Sequence, residues 1–297
     1  MRAKYYLAAI IAFSVWGMFS FVLKPLQGYP SPDILFYRIF LSVTLMLAIN
    51  LLARRKQLKE TKNYLLNLPA KKRQTLILLT VFSSVMLSAN WFFFIYVMNH
   101  ISVKAAAFSY LICPILTTVC AFIILRERLT PLQWFSVLIS ASACVLLSFN
   151  NVADLGFSLL VAGSYALYLV IQKKFQEVDK FVLLSSQLVI TALILLPFYF
   201  TISGPLPAEP KFYIYIAIIA IGFTIIPMLL NLFALKGITS STLGILMYLN
   251  PIIGFVLAAF YYKEEISATQ IVAYSLIGVA IVIFNIGSYL KLRAANK

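Results

Sequence analysis

The sequence predicts an all-α integral membrane protein of ten transmembrane helices, built as two inverted five-helix repeats with both termini cytoplasmic. Three observations carry that expectation. Of 297 residues, 62% are hydrophobic and 11% are charged, whereas a soluble domain runs near 45–50% and about 25%. Too little polar surface remains to cover a core in water, and disorder is excluded because disordered chains lack apolar residues. The apolar residues also fall in unbroken runs of the roughly 20 residues that a helix needs to cross hydrocarbon. Finally, the second half of the chain repeats the first at a constant offset, which is the mark of an internal repeat.

Taken in order, the runs are Tyr5–Leu23, Pro32–Ala53, Thr75–Met98, Val103–Leu125, Pro131–Phe149, Leu155–Ile171, Phe181–Ile202, Phe212–Leu235, Ser240–Tyr262 and Ala268–Leu290. Turn and charge signals at Leu26–Pro32 and Ser203–Lys211 separate them. The first run leads into Lys24-Pro25-Leu26 rather than a small-residue cleavage site, so it is expected to be retained as a helix. Runs this continuous favour helices over a membrane barrel, whose strands are shorter and alternate.

The formal charge is +15, which in a soluble protein would point to nucleic acid. Here no zinc pattern or soluble basic helix accompanies it, so no nucleic-acid partner is expected. The basic residues crowd between runs, most densely at Arg54, Arg55, Lys56, Lys59, Lys62, Lys71, Lys72 and Arg73. All Lys and Arg fall on one side of the ten-span scheme except Lys24, Lys104, Lys211, Lys263 and the in-span Arg38. By the positive-inside rule that side is the cytoplasm. Cys113, Cys120 and Cys144 lie inside apolar runs, and an odd number there offers no disulfide framework.

Shifting the chain by 137 residues, the distance from Glu127 to Glu264, lays Ile101-Ser102 on Ile238-Thr239, Pro114 on Pro251, Ala121 on Ala258 and Gln133 on Gln270. Halves 1–150 and 151–297 of five spans each must enter the membrane from opposite sides, and such transporters bind cargo at the repeat interface. Thr130-Pro131-Leu132-Gln133 reads as a capped helix start, and Ser267-Ala268-Thr269-Gln270 offers the same spacing. Glu127 and Glu264 lie just before those starts, where negative charge suits the helix dipole. Pro114 and Pro251 each free a backbone carbonyl within a span and are candidate hinges, with a packing kink as the alternative.

Further positions carry a family resemblance: Trp16-Gly17 with Lys24, Asp33 with Arg38, Asn90-Trp91, Asn99, Tyr110, Pro114, Tyr168 with Lys173-Lys174, Pro227, Ser241-Thr242-Leu243-Gly244, Tyr248 and Pro251. Over nearly its whole length the chain resembles bacterial transporters of the EamA family in the drug/metabolite transporter superfamily, and more closely their RarD type. The family closes each half on a Gly-Glu pair, where this chain has Arg126-Glu127 and Lys263-Glu264. The resemblance implies export of small metabolites or drugs from the cytoplasmic (inner) membrane of a bacterium.

The 11 glycines include no phosphate-cradling loop ending in Lys-Ser or Lys-Thr, which excludes an ATP-driven pump of that type. A single histidine, His100, and no paired mid-span carboxylates leave an enzyme without its parts, and no cofactor or metal is expected. Of the ionisable residues only Arg38 approaches the middle of a span, and such a residue is a functional candidate by default. It is expected to hold an anionic group; bonding to carbonyls freed by Pro114, or snorkelling, is the alternative. The substrate-binding set is therefore Arg38 with Trp16, Asn90, Trp91, Tyr168, Tyr248 and Asn250, the amides being equally suited to joining helices. No mid-bilayer carboxylate offers a cation site, while Asp33 near the outer mouth leaves a proton as a candidate coupling ion. The expected function is secondary export of small amphiphilic or anionic metabolites or drugs by alternating access. The other reading is a non-transporting receptor or assembly component.

Overall fold

In hydrocarbon every backbone N–H and C=O must be satisfied within the protein, so long apolar runs resolve as helices. The computed structural model describes residues 3–100, 103–148, 155–263, 265 and 267–295, and among them there is no strand. The first half comprises α1 (Ala3–Gly17), α2 (Ser20–Leu23), α3 (Ser31–Leu52), α4 (Arg55–Asn67), α5 (Ala70–His100), α6 (Val103–Leu125) and α7 (Pro131–Ser148). The second comprises α8 (Leu155–Gln172), α9 (Lys180–Ile202), α10 (Pro210–Ile218), α11 (Ile226–Ala234), α12 (Ser240–Leu246), α13 (Leu249–Val256) and α14 (Ala268–Ala295). A π-helical stretch, Ile219–Ile225, joins α10 to α11, and another, Leu257–Tyr261, follows α13.

Among the described residues, eight stretches are long and apolar enough to cross a membrane: Ala3–Leu26, Ser31–Leu52, Ala70–Val97, Phe108–Leu125, Lys180–Ile202, Pro210–Ala234, Ser240–Tyr261 and Ala268–Lys291. The fifth and sixth runs of the sequence are the shorter apolar helices α7 and α8, of 18 residues each. At 1.5 Å per residue each is about 27 Å long. One helix is not announced by the apolar runs. α4 lies in the densest basic segment, with Lys56, Lys59 and Lys62 exposed and Thr61 buried. Large apolar side chains such as Ile123, Leu138, Leu193, Phe200 and Phe260 cover the outside of the bundle, a surface that suits lipid and not water.

The packing between halves is reciprocal. α1 packs on α11 and α13 of the second half, and α8 packs on α5 and α6 of the first. α3 packs on α9, α6 on α12 and α7 on α14. The α1–α13 crossing is close because residue 17 is glycine; a Cβ there would lie 2.6 Å from Ile253 Cβ. Two non-glycine residues have positive φ, Arg126 and Lys263, both at 54°, and they are 137 positions apart in sequence. Arg126 directly follows α6, where a left-handed residue turns the chain out of a helix, and Glu127 N–H closes back on Ala121 O at 3.3 Å.

Candidate functional site

Asp33 sits in the first turn of α3 and is buried. Its carboxylate accepts from Ser203 Oγ (2.6 Å) and Gly204 N (3.2 Å), fixing α3 to the chain after α9. Arg38 is five residues further on, about 140° around the helix, and points elsewhere. Its guanidinium lies 5.0 Å from the Trp91 ring centroid of α5 and beside Tyr110 of α6. Arg38 Nε is buried without a hydrogen bond, and among the described residues no carboxylate pairs with this cation. A guanidinium held by an aromatic face and lacking a counter-ion is suited to receive an anion in its planar fork.

Trp16 ties the halves together: its indole Nε1 donates at 2.7 Å to Phe223 O, within the π-helical stretch that leads into Pro227. The polar end of Trp16 is thus engaged, and its ring meets Tyr165 edge-on, with centroids 6.4 Å apart. Tyr165 stacks on Tyr168 at 5.8 Å and neighbours Tyr110. Tyr168 Oη contacts Gln187 Oε1 at 3.5 Å. Gln187 Nε2 donates to Ser83 Oγ (2.9 Å) and to Gln172 Oε1 (3.1 Å). Trp16, Tyr165, Tyr168 and Gln172 line a cavity of about 10 Å³ together with Met228 and Asn231. That is room for about one water, so the bundle is closed around its site.

The other expected binding residues fall elsewhere. Asn90 Nδ2 donates to Val161 O at 2.9 Å, tying α5 to α8. Tyr248 is fully buried beside Ser140 of α7, and neither it nor Asn250 lines the cavity. The two prolines also differ in setting. Pro114 is inside the continuous α6, and its turn lies against Gly244 of α12, where a Cβ would lie 2.9 Å from Thr117 Cβ. Pro251 is in the first turn of α13, just after the break that separates it from α12. A first-turn residue has no intrahelical partner for its N–H in any case.

Both helix starts carry reciprocal caps. Thr130 N donates to Gln133 Oε1 (2.8 Å) and Gln133 N to Thr130 Oγ1 (3.3 Å). Ser267 N donates to Gln270 Oε1 (2.9 Å) and Gln270 N to Ser267 Oγ (3.2 Å). Glu127 differs from expectation. Instead of serving its own next helix, it crosses to the second half and accepts from Ser240 N (2.8 Å), Ser241 N (3.0 Å) and Ser241 Oγ (2.6 Å) at the start of α12. The left-handed Arg126 turns the chain so that the carboxylate faces those donors. Glu264 lies outside the described residues.

The same end of the bundle is closed by further charges. Lys173 Nζ donates to Leu235 O and, at 2.7 Å, to Ile238 O. Burial lowers the Lys173 pKa, and the Glu127 carboxylate acts to raise it. Arg54 pairs with Asp179 at 3.0 Å, and Asp179 caps α9 through Phe181 N and Val182 N. Among the described residues no group of three His, Cys, Asp or Glu is placed to hold a metal ion.

The binding set read from the sequence left out Gln172, Gln187, Ser83, Tyr165 and Asn231. The available signal was spacing: Tyr165, Tyr168 and Gln172 recur at i, i+3 and i+7 on one face of α8.

A solved crystal structure shares this fold, with a TM-score of 0.75 at 16% identity, covering 96% of this chain and 98% of that one. Protein RarD of Escherichia coli (strain K12) is 26% identical over 296 residues, 98% of this chain and 97% of RarD. The uncharacterized transporter YojE of Bacillus subtilis (strain 168) is 28% identical over 290 residues, 97% of this chain and 95% of YojE. The EamA-like transporter family matches residues 3–149 and 154–286. With nearly the whole of both halves matched, the chain belongs to the EamA-like transporter family and is a membrane transporter, not an enzyme.

Proposed function

We propose that the chain is a secondary transporter of ten spans in a bacterial inner membrane, exporting small amphiphilic or anionic metabolites by alternating access of two inverted five-helix repeats, 1–150 and 151–297. The reciprocal packing of the halves and the paired left-handed residues support the repeat. The two separate family matches, one per half, support it as well. The basic end holds Arg54, Lys173, Lys236 and Lys291 and is read as cytoplasmic, with both termini there. In that orientation Lys173, Glu127 and the Arg54–Asp179 pair close the inner side.

The observation that carries the reading is Arg38: a half-buried arginine over Trp91 whose Nε is buried and unbonded, with no carboxylate partner among the described residues. A cargo carboxylate would supply the missing charge at the repeat interface. Trp16 and Tyr168 wall the cavity, while Asn90 ties α5 to α8. Reconstitution in vesicles with a metabolite panel, with and without a proton gradient, tests transport and coupling together. Arg38→Lys is expected to keep partial transport. Arg38→Gln is expected to raise KM for anions by about 10- to 100-fold, the worth of a charge-assisted bond. If both variants lose folded protein alike, Arg38 is structural and the anion reading fails.

A further inference from the structure

The cavity walled by Trp16, Tyr165 and Tyr168 also has two amides in its wall with unused hydrogen-bonding capacity. Asn231 is 4% exposed, and although Tyr165 neighbours it, neither Nδ2 nor Oδ1 completes a hydrogen bond. Gln172 is 1% exposed; its Oε1 accepts from Gln187, but its Nε2 is unpartnered. Leaving a buried amide unpaired is destabilising, and two in one cavity is poor design for joining helices. No Asp, Glu, Lys or Arg lines the cavity, so a charged group placed there would be unpaired.

We propose that Asn231 and Gln172 form a neutral hydrogen-bonding subsite for the cargo, so that the monoanion held at Arg38 also carries an uncharged group with both an acceptor and a donor, of which a carboxamide is the simplest. This rests on Arg38 as the anion anchor. The two free N–H groups meet the acceptor, and Asn231 Oδ1 meets the donor. In the closed bundle the cavity is too small for such a group, so cargo enters when α8 and α11 separate and is enclosed when they return.

The test uses three pairs of aromatic monocarboxylates whose members differ only in a carboxamide or an isopropyl group, 4-carbamoylbenzoate and 4-isopropylbenzoate being one pair. Counterflow into proteoliposomes is measured for each, with thermal unfolding of each purified chain. The wild type is expected to prefer the carboxamide by about tenfold or more. Asn231→Leu and Gln172→Met are expected to bring that ratio close to one. Asn231→Leu should also unfold at the wild-type temperature or above, because an unpaired buried amide has been removed. Arg38→Gln should lose both members of each pair. Equal uptake of both members by the wild type, or a preference that survives in Asn231→Leu, overturns the subsite; loss of both in Arg38→Gln would then leave the anchor standing. A large fall in unfolding temperature for Asn231→Leu assigns that amide to packing and also overturns the subsite. Uptake of neither member of any pair by the wild type rejects the anchor, and the subsite with it.

Discussion

Arg126 and Lys263 hold a backbone conformation that glycine adopts freely, and for an L-residue the left-handed region costs about 1–2 kcal/mol. Both have φ of 54°, and both occupy the place where the family resemblance implies glycine. Arg126→Gly and Lys263→Gly are therefore expected to raise stability by up to about 1 kcal/mol each. A rise of a few degrees in the unfolding midpoint of purified protein checks this, and an unchanged or lower midpoint would mean the side chains compensate for the strain. The same scale shows what was legible in the candidate site. Arg38 was readable because a guanidinium in an apolar run is costly enough to need a reason. Asn231 and Gln172 were not, because an amide in a span most often bonds a neighbouring helix, and only the cavity separates an unpartnered amide from a bonded one. Glu127 was recognised as a cap, but the helix it caps is 113 residues away in sequence and no local pattern names it.

At the scale of elements, hydropathy located the helices within a few residues: Val103–Leu125 and Pro131–Ser148 against expected Val103–Leu125 and Pro131–Phe149. It could not reveal the breaks inside spans. The π-helical stretch Ile219–Ile225 reads IAIGFTI, as apolar as any α-helix, since hydropathy is blind to which carbonyl each N–H reaches. α4 was hidden for the opposite reason, being too charged to register as an apolar run. The prolines show how placement changes a prediction. Pro114 removes a hydrogen bond from the interior of α6, whereas Pro251 sits where none was due. Pro114→Ala is expected to stiffen α6 and slow transport severalfold with expression unaffected, and Pro251→Ala to change the rate little. Equal slowing in initial-rate vesicle assays would show that the missing N–H is not what makes the hinge.

For the molecule as a whole, the proposed ten-span topology requires both termini on the side of the basic end. A C-terminal reporter active only in the cytoplasm, and protease protection of 54–73 in intact cells, are the expected results; a reporter active outside would remove one span from the scheme. The interface between halves also has a spectroscopic consequence. The chain has three tryptophans, of which Trp16 and Trp91 stand at the site and Trp134 lies in the first turn of α7. In a Trp134→Phe chain all indole emission would come from the site itself. Trp16 donates its N–H to Phe223 O across the seam that parts in the proposed transport cycle. When that bond is exchanged for water the excited indole relaxes in a more polar shell, and emission moves to longer wavelength. Adding a transported anion to Trp134→Phe vesicles should shift the spectrum saturably, and Trp16→Phe/Trp134→Phe should lose the part of that shift that arises at the seam, keeping only the response of Trp91 beside Arg38. The native side chains would then report opening and closing in real time, with no attached dye.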